Sequence, residues 1–171
     1  AFVGGGDNGG DALYACAILA RGGIGATAYL LKKRCHRRAL AAAQEAGVRI
    51  IDLDGQSLHS IENTPAWSEV FLAHAWIDGI VGTGAHGPLT GALAESVELL
   101  NGLSAIKPRP VIAIDVPSGL TDDDGAITGP ILRATHTLAV GTYKRAQVLP
   151  PAVEFTGDIS LVTMDWDSAG V

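Results

Sequence analysis

Short apolar runs alternate along the chain with segments that carry apolar residues at helical spacing. The runs predict seven strands, at residues 1–3, 26–31, 48–53, 75–81, 111–116, 135–140 and 159–162. The intervening segments predict helices, at residues 12–21, 36–46 and 66–72 and in a segment that begins near Gly91. Strands that alternate with helices of this length indicate a parallel sheet covered on both faces. The pattern therefore predicts one α/β domain.

Composition narrows the classes of function. The 171 residues carry a formal net charge of −6, which is a poor match for a phosphate backbone, so we expect no nucleic-acid partner. No apolar run approaches the roughly 20 residues that span a bilayer, and no signal peptide is evident, so we expect a cytoplasmic protein without a membrane partner. Cys16 and Cys35 are too few for a disulfide framework and lack zinc-ligand spacing, and we expect buried or half-buried free thiols.

Residues 4–11, Gly-Gly-Gly-Asp-Asn-Gly-Gly-Asp, follow the first predicted strand as a glycine-rich loop. Gly4, Gly6 and Gly9 satisfy the G-x-G-x-x-G spacing of dinucleotide-binding loops, and the basic segment 32–34 follows the second strand, where it could meet a 2′-phosphate. This pattern alone favours an NADP-dependent dehydrogenase. Asp7 and Asp11 argue against that interpretation, since they would bring carboxylates near the diphosphate. We expect Asp11 to be the N-cap of a helix that starts at residue 12.

Two more candidate loops follow the fourth and fifth predicted strands. Residues 82–88 contain three glycines that let backbone N–H groups turn toward an anion. Asp115 lies at the end of the apolar strand 111–116, and Pro117, Ser118 and Gly119 follow that strand. Asp78 lies within the strand 75–81. The nucleophile-elbow and Walker A patterns are absent, which argues against a serine hydrolase of that kind and a P-loop NTPase.

These loops share one edge of the predicted sheet, where ligands of open α/β folds bind. Asn8, Asp78, Asp115 and Ser118 thus offer oxygen ligands from adjacent loops, and an all-oxygen set suits a hard cation. The acidic run 122–124 lacks the spacing of an EF-hand, and we expect it to be a solvated turn.

Together the three loops resemble the YjeF N-terminal domain family, the NAD(P)H-hydrate epimerases. The family's N-N-G-G-D, D-x-x-x-G-[TF]-G and D-x-P-S-G motifs occur in that order at residues 7–11, 78–84 and 115–119. Residues 135–141, Lys144 and residues 157–159 are also similar to the family. The resemblance covers nearly all of residues 1–171, which we assign to one domain that lacks the family's usual N-terminal helices. Asp7, Ala12 and His86 depart from the family pattern.

The resemblance implies a Rossmann-like α/β/α sandwich with a mostly parallel central sheet. It further implies an enzyme that interconverts the R and S forms of hydrated NADH and NADPH. In such proteins residues that match Asn8, Asp78 and Ser118 bind a potassium ion. The substrate contacts are expected at positions of the first loop, at positions of the second loop and at Asp115. These loop positions are Asp7, Asn8, Gly9, Gly10, Asp11, Gly82, Thr83, Gly84, Ala85, His86, Gly87 and Pro88.

Epimerisation can proceed by loss of water from the hydrated ring and its return to the opposite face. A positioned carboxyl group can protonate the leaving hydroxyl and deprotonate the returning water. We assign this role to Asp115, with Lys144 as a second candidate. The implied functional partner is an NAD(P)H-hydrate dehydratase, which is often fused at the C-terminus. The oligomeric state stays open, with a homodimer among the alternatives. The alternative function is a non-catalytic nucleotide- or protein-binding scaffold.

Overall fold

A seven-stranded parallel sheet forms the centre of the protein in a computed structural model, which describes residues 1–120 and 125–163. All seven predicted strands are present. They are β1 (Phe2–Val3), β2 (Thr27–Leu30), β3 (Arg49–Asp52), β4 (Trp76–Gly79), β5 (Val111–Ile114), β6 (His136–Val140) and β7 (Asp158–Val162). The order across the sheet is β3-β2-β1-β4-β5-β6-β7, and every neighbouring pair is parallel. The predicted turn at 122–124 lies outside the described residues.

Four α-helices connect the first five strands. They are α1 (Asp7–Arg21), α2 (Arg37–Glu45), α3 (Pro65–Leu72) and α4 (Gly91–Ile106). Short 3₁₀ segments lie at Leu58–Ile61, Arg145–Gln147 and Ala152–Phe155. Among the described residues, no helix is both long and apolar enough to cross a membrane. The arrangement confirms the α/β/α architecture expected from the sequence.

The helix α1 begins earlier than the sequence predicted. The helix begins at Asp7 with Gly6 as its N-cap, so the expected loop is shorter and Asp11 is not the N-cap. Close packing explains the early start. A Cβ atom on Gly9 would lie 2.4 Å from the carbonyl oxygen of Gly4, and one on Gly79 would lie 2.4 Å from the Cβ atom of Ala12. Because these glycines have no side chains, the start of α1 packs directly against β1 and β4. This packing outweighs the poor helix propensity of glycine.

Two apolar cores cover the two faces of the sheet. Phe2 points into the core formed with α3 and α4, whereas its neighbour Val3 points into the core formed with α1 and α2. This alternation is what the period of a β-strand requires. Cys16 is buried in the second core and Cys35 is half-buried, and both are free thiols, as expected.

Strand order reverses between β1 and β4, because the chain proceeds outward from β1 through β2 to β3 and then returns to β4 on its other side. At such a reversal the loops after the two strands turn away from each other and leave a crevice. The loops after β1 and β4 are the first two glycine-rich segments. The topology therefore places both at the carboxyl edge where the sequence predicted a site.

Candidate functional site

A cleft of about 1240 Å³ lies at the carboxyl ends of the strands from β2 to β6. Each of the three predicted site loops contributes residues to its lining. The residues that line it are Gly5, Gly6, Asp7, Asn8, Asp11, Lys32, Lys33, Arg34, Gly55, Ile80, Val81, Gly82, Thr83, Gly84, Ala85, Asp115, Val140, Thr142 and Lys144. The cleft thus brings together most of the predicted substrate-binding positions and both candidate catalytic residues.

Asp78 and Ser118 form a buried pair next to the residues that line the cleft. Both side chains are fully buried. The Ser118 hydroxyl donates to Oδ1 of Asp78 at 2.5 Å, and the Ser118 backbone N–H donates to Oδ2 at 2.7 Å. The Ile80 backbone N–H also donates to Oδ1, at 3.2 Å. Burial raises the pKa of Asp78 to about 6, although these three hydrogen bonds favour its ionised form.

Asn8 joins this pair through the carbonyl oxygen of Val81. Asn8 Nδ2 donates to that oxygen at 3.0 Å, and the Ser118 hydroxyl lies 3.2 Å from the same oxygen. Asn8 is itself buried, on the first turn of α1. The side chains of Asn8 and Ser118 therefore meet at one backbone carbonyl, and Asp78 joins them through its hydrogen bonds with Ser118.

The chemistry of this cluster fits a hard monovalent cation. Its oxygen atoms are the Asp78 carboxylate, the Ser118 hydroxyl and the Val81 carbonyl, with the Asn8 amide beside them, and the single buried carboxylate supplies one negative charge when it is ionised. Among the described residues, no cluster of three or more His, Cys, Asp or Glu side chains could hold a metal ion. The donor set is thus unlike that of a zinc or copper site.

Asp115 and Lys144 form an ion pair that faces the cleft. Lys144 Nζ donates to Oδ1 of Asp115 and, at 2.7 Å, to the carbonyl oxygen of Val140. The Thr83 hydroxyl donates to Oδ2 of Asp115 at 3.2 Å. Each charged side chain is only 16% exposed. The carboxylate is therefore held by groups from the loops after β4 and β6, yet remains accessible from the cleft.

The backbone of Asp115 has an unusual conformation. Its φ angle is +65°, in the left-handed region that residues other than glycine rarely adopt. Aspartate tolerates this region better than most residues, but the conformation still costs energy and persists only when neighbouring contacts enforce it. Here the Asp115 N–H continues the sheet by donating to the carbonyl oxygen of Leu138 at 2.9 Å.

Gln147 connects the two candidate catalytic residues, and the sequence analysis did not identify it. Its side chain is fully buried. Nε2 donates to the backbone carbonyl of Asp115 at 2.5 Å, and Oε1 accepts from the backbone N–H of Lys144 at 2.7 Å. No motif marks this glutamine in the sequence, since its role depends on a contact across 32 positions.

Some predicted substrate-binding residues do not line the cleft. Gly9 and Gly10 pack inside the fold, against the Gly4 backbone and the His36 side chain. Residues 86–88 lie beyond the part of the second loop that faces the cleft. Pro88 approaches Gly129, where a Cβ atom would lie 2.7 Å from the Pro88 Cβ atom. The roles assigned to these five positions stay predictions.

Three carboxylates give the middle of the cleft an acidic character. Asp7 and Asp11 lie at the start of α1, Asp115 follows β5, and all three line the cleft. Burial, reinforced by the negative charges of Asp7 and Asp115, raises the pKa of Asp11. The acidic character that argued against an ordinary dinucleotide loop is therefore present in the folded protein.

Known proteins are similar to this chain in sequence. The sequence model of the family described as YjeF-related protein N-terminus matches residues 1–146. An NAD(P)H-hydrate epimerase from Clavibacter michiganensis is 35% identical over 99% of this chain and 73% of its own length. A bifunctional NAD(P)H-hydrate repair enzyme, Nnr, from Mycobacterium leprae is 38% identical over 98% of this chain, which spans only 31% of that relative.

A solved structure supports the fold independently. The crystal structure of yeast ynu0, YNL200c, superposes with a TM-score of 0.70 at 21% identity. The match covers 85% of this chain and 58% of the yeast chain. At that identity the likeness concerns the fold, and the family assignment depends on the sequence matches across most of the chain. On these grounds the chain belongs to the family of YjeF-related protein N-termini.

Proposed function

We propose that this protein is an NAD(P)H-hydrate epimerase, which interconverts the R and S forms of hydrated NADH and NADPH. The observation that carries the proposal is the Asp115–Lys144 pair, accessible in a cleft that crosses the strand-order reversal. Relatives with the names NAD(P)H-hydrate epimerase and bifunctional NAD(P)H-hydrate repair enzyme support the same reaction. Family membership also favours this function over the NADP-dependent dehydrogenase considered from the first loop alone.

The reaction needs one proton to be delivered and one to be recovered. The ring nitrogen donates its lone pair toward the hydroxyl-bearing carbon, whose C–O bond breaks as the hydroxyl takes up a proton and leaves as water. Water then adds to the opposite face of the cationic ring and loses a proton, so atoms and charge balance and no electron is transferred. Lys144 donates a hydrogen bond to Asp115, so the pair presents a proton donor and a proton acceptor to the cleft and is suited to both transfers.

The oxygen cluster is the proposed potassium site. Asn8, Asp78 and Ser118 would hold the ion, and the Val81 carbonyl lies among them. When bound, the ion supplies positive charge next to a nucleotide that carries several negative charges. The chain contributes the buried carboxylate of Asp78, and its hydrogen-bond partners among the described residues are all neutral groups.

We place the diphosphate over the loop that begins at Gly82 and not on the turn of Gly4–Gly6. The acidic residues Asp7 and Asp11 line the cleft beside the first turn, whereas residues 82–88 contain no acid. A Cβ atom on Gly84 would meet no atom within 4 Å, so its backbone is open to a ligand. A nucleotide-bound structure with the diphosphate hydrogen-bonded to the Gly5 and Gly6 N–H groups would contradict this placement.

The proposed functional partner is an NAD(P)H-hydrate dehydratase that consumes one epimer. Relatives named as bifunctional repair enzymes support a second activity that acts together with this one. A coupled assay tests the proposal. A purified dehydratase receives only the epimer that it cannot use, and addition of this protein should accelerate consumption of that epimer. An unchanged rate with folded protein, in potassium-containing buffer, would contradict the proposed function.

A further inference from the structure

Positive charge is concentrated in one short segment of this acidic chain. Five of its twelve Lys and Arg residues lie between positions 32 and 38, although the net charge is −6. Lys32, Lys33 and Arg34 directly follow β2, and all three are exposed and line the cleft. Arg37 and Arg38 lie in the first turn of α2 and do not line it. One end of the cleft is therefore basic, whereas its middle is acidic.

Two of the three cations in this basic segment have no acidic partner among the described residues. Lys33 Nζ lies 3.4 Å from Oδ1 of Asp54, but neither Lys32 nor Arg34 forms an ion pair there. The one ion pair of this segment is exposed, and exposed ion pairs contribute little to the free energy of unfolding. Stabilisation of the fold therefore does not explain why these cations are concentrated here. Unpaired cations in a cleft attract an anion and favour its binding.

The basic segment is continuous with the first glycine-rich turn. A Cβ atom on Gly5 would lie 2.9 Å from the Arg34 carbonyl oxygen and 3.7 Å from the Lys32 Cβ atom. The Lys32 side chain and the Arg34 backbone therefore form one wall with the turn after β1. A ligand that extends from the end of β5 past the end of β1 therefore reaches the basic segment after β2.

The distance across the sheet suits a dinucleotide. Asp115 follows β5, and the order β2-β1-β4-β5 places it three strand intervals from the basic segment. At about 4.8 Å per interval this separation is about 14 Å. In doubly wound folds with this strand order, a dinucleotide crosses the reversal and its adenosine ribose lies near the end of β2. The residue at that point decides between a free 2′-hydroxyl and a 2′-phosphate.

We propose that Lys32 and Arg34 bind the 2′-phosphate of the adenosine ribose and make this protein prefer hydrated NADPH over hydrated NADH. The inference depends on the proposed function and names its preferred substrate. With the hydrated ring at Asp115 and the diphosphate over the second glycine loop, the adenosine ribose is directed toward β2. The 2′-phosphate then avoids the acidic middle of the cleft and meets two unpaired cations.

Kinetics of a charge-deletion variant test the preference. Lys32→Ala combined with Arg34→Ala should reduce kcat/KM for hydrated NADPH about 10- to 100-fold, because charge-assisted hydrogen bonds to the phosphate are lost. The value for hydrated NADH should change no more than about twofold. Arg37→Ala combined with Arg38→Ala removes the same charge outside the cleft and should affect both substrates equally. An equal loss for both substrates in the first variant, or no loss, would overturn the inference.

A binding measurement separates this inference from the proposed function. By titration calorimetry the wild-type protein should bind 2′,5′-ADP at least about tenfold more tightly than 5′-AMP, and the Lys32/Arg34 variant should lose this preference. A preference for 2′,5′-ADP without epimerase activity would overturn the function and retain the phosphate subsite. Epimerase activity with equal binding of the two nucleotides would retain the function and overturn the subsite.

Discussion

Ser118 donates to both carboxylate oxygens of Asp78, its hydroxyl to one and its backbone N–H to the other, across 40 positions of the chain. This double contact fastens the loop after β5 to the end of β4. It also holds a carboxylate where no solvent reaches it. Fixed geometry around a buried charge is what a cation site requires, and the same burial makes Asp78 sensitive to pH.

Stability should depend on pH through Asp78. Folding raises its pKa from an ordinary value of 3.8 to about 6, so the folded protein binds this proton more tightly than the unfolded chain does. The contribution of Asp78 to the free energy of unfolding is fully present below about pH 4 and is lost as pH rises through about 6. The free energy of unfolding changes by at most about 3 kcal/mol through this group. Denaturant unfolding in potassium-free buffer should show this decline.

Asp78→Asn provides the control for that measurement. The variant has no titrating group at this position, so the Asp78 component of the decline between pH 4 and 7 should disappear. Other groups contribute equally to both proteins, and the difference between the two curves isolates Asp78. Parallel curves would contradict the raised pKa.

Potassium should stabilise the folded protein. A cation that binds only the folded state at ten times its Kd contributes about 1.4 kcal/mol, which corresponds to a Tm increase of about 3–6 °C for a domain of this size. The measurement compares thermal unfolding in potassium chloride and choline chloride at equal ionic strength and pH 8. Asp78→Asn should abolish the difference, and equal Tm values for the wild-type protein would contradict the site.

Asp115→Asn should reduce turnover of the epimerase about 10²- to 10⁴-fold. The asparagine preserves size but cannot exchange the proton, and Lys144 retains its hydrogen bond to the Val140 carbonyl. Turnover at saturating substrate should be measured separately from KM, because the substrate is also expected to contact this residue.

A matched substitution separates the chemistry from a general loss of charge. Asp158→Asn alters a carboxylate on β7 whose side chain is 89% exposed, and its activity should remain at the wild-type value. A folded Asp115→Asn protein with near-native turnover would transfer the acid–base role to Lys144 or to water.

Gln147→Met should impair both stability and catalysis. The Asp115 carbonyl and the Lys144 N–H lose their partner, and each buried polar group without a partner costs about 1–3 kcal/mol. We expect a lower Tm and a decrease in kcat larger than the change in KM, because the Asp115–Lys144 pair loses its alignment. The control Gln44→Met alters an exposed glutamine of α2 and should change neither. Wild-type kcat in a folded Gln147→Met protein would show that Gln147 does not position the pair.

The strands and the carboxyl-edge loops were predictable from the sequence because their signals are local. Apolar runs such as 111–116 mark buried parallel strands whatever surrounds them. Three ordered motifs placed Asn8, Asp78 and Ser118 on adjacent loops. In the structure Asn8 and Ser118 meet at the Val81 carbonyl, and Ser118 holds Asp78 beside them. The predicted start of α1 was wrong. The low helix propensity of glycine opposes a helix over residues 7–11, whereas the close packing of Gly9 against Gly4 allows one.

The sequence by itself determined the α/β class, the family and the residue types of the site. Only the tertiary structure decided that Lys144 pairs with Asp115, that Gln147 connects them and that the segment 32–34 lines the same cleft. Lys144 follows a different strand and Gln147 lies in a 3₁₀ segment, so no spacing rule relates them to Asp115. Local periodicity specifies which face of an element is buried. Contacts between distant loops depend on strand order and on how the elements pack, which the complete fold alone establishes.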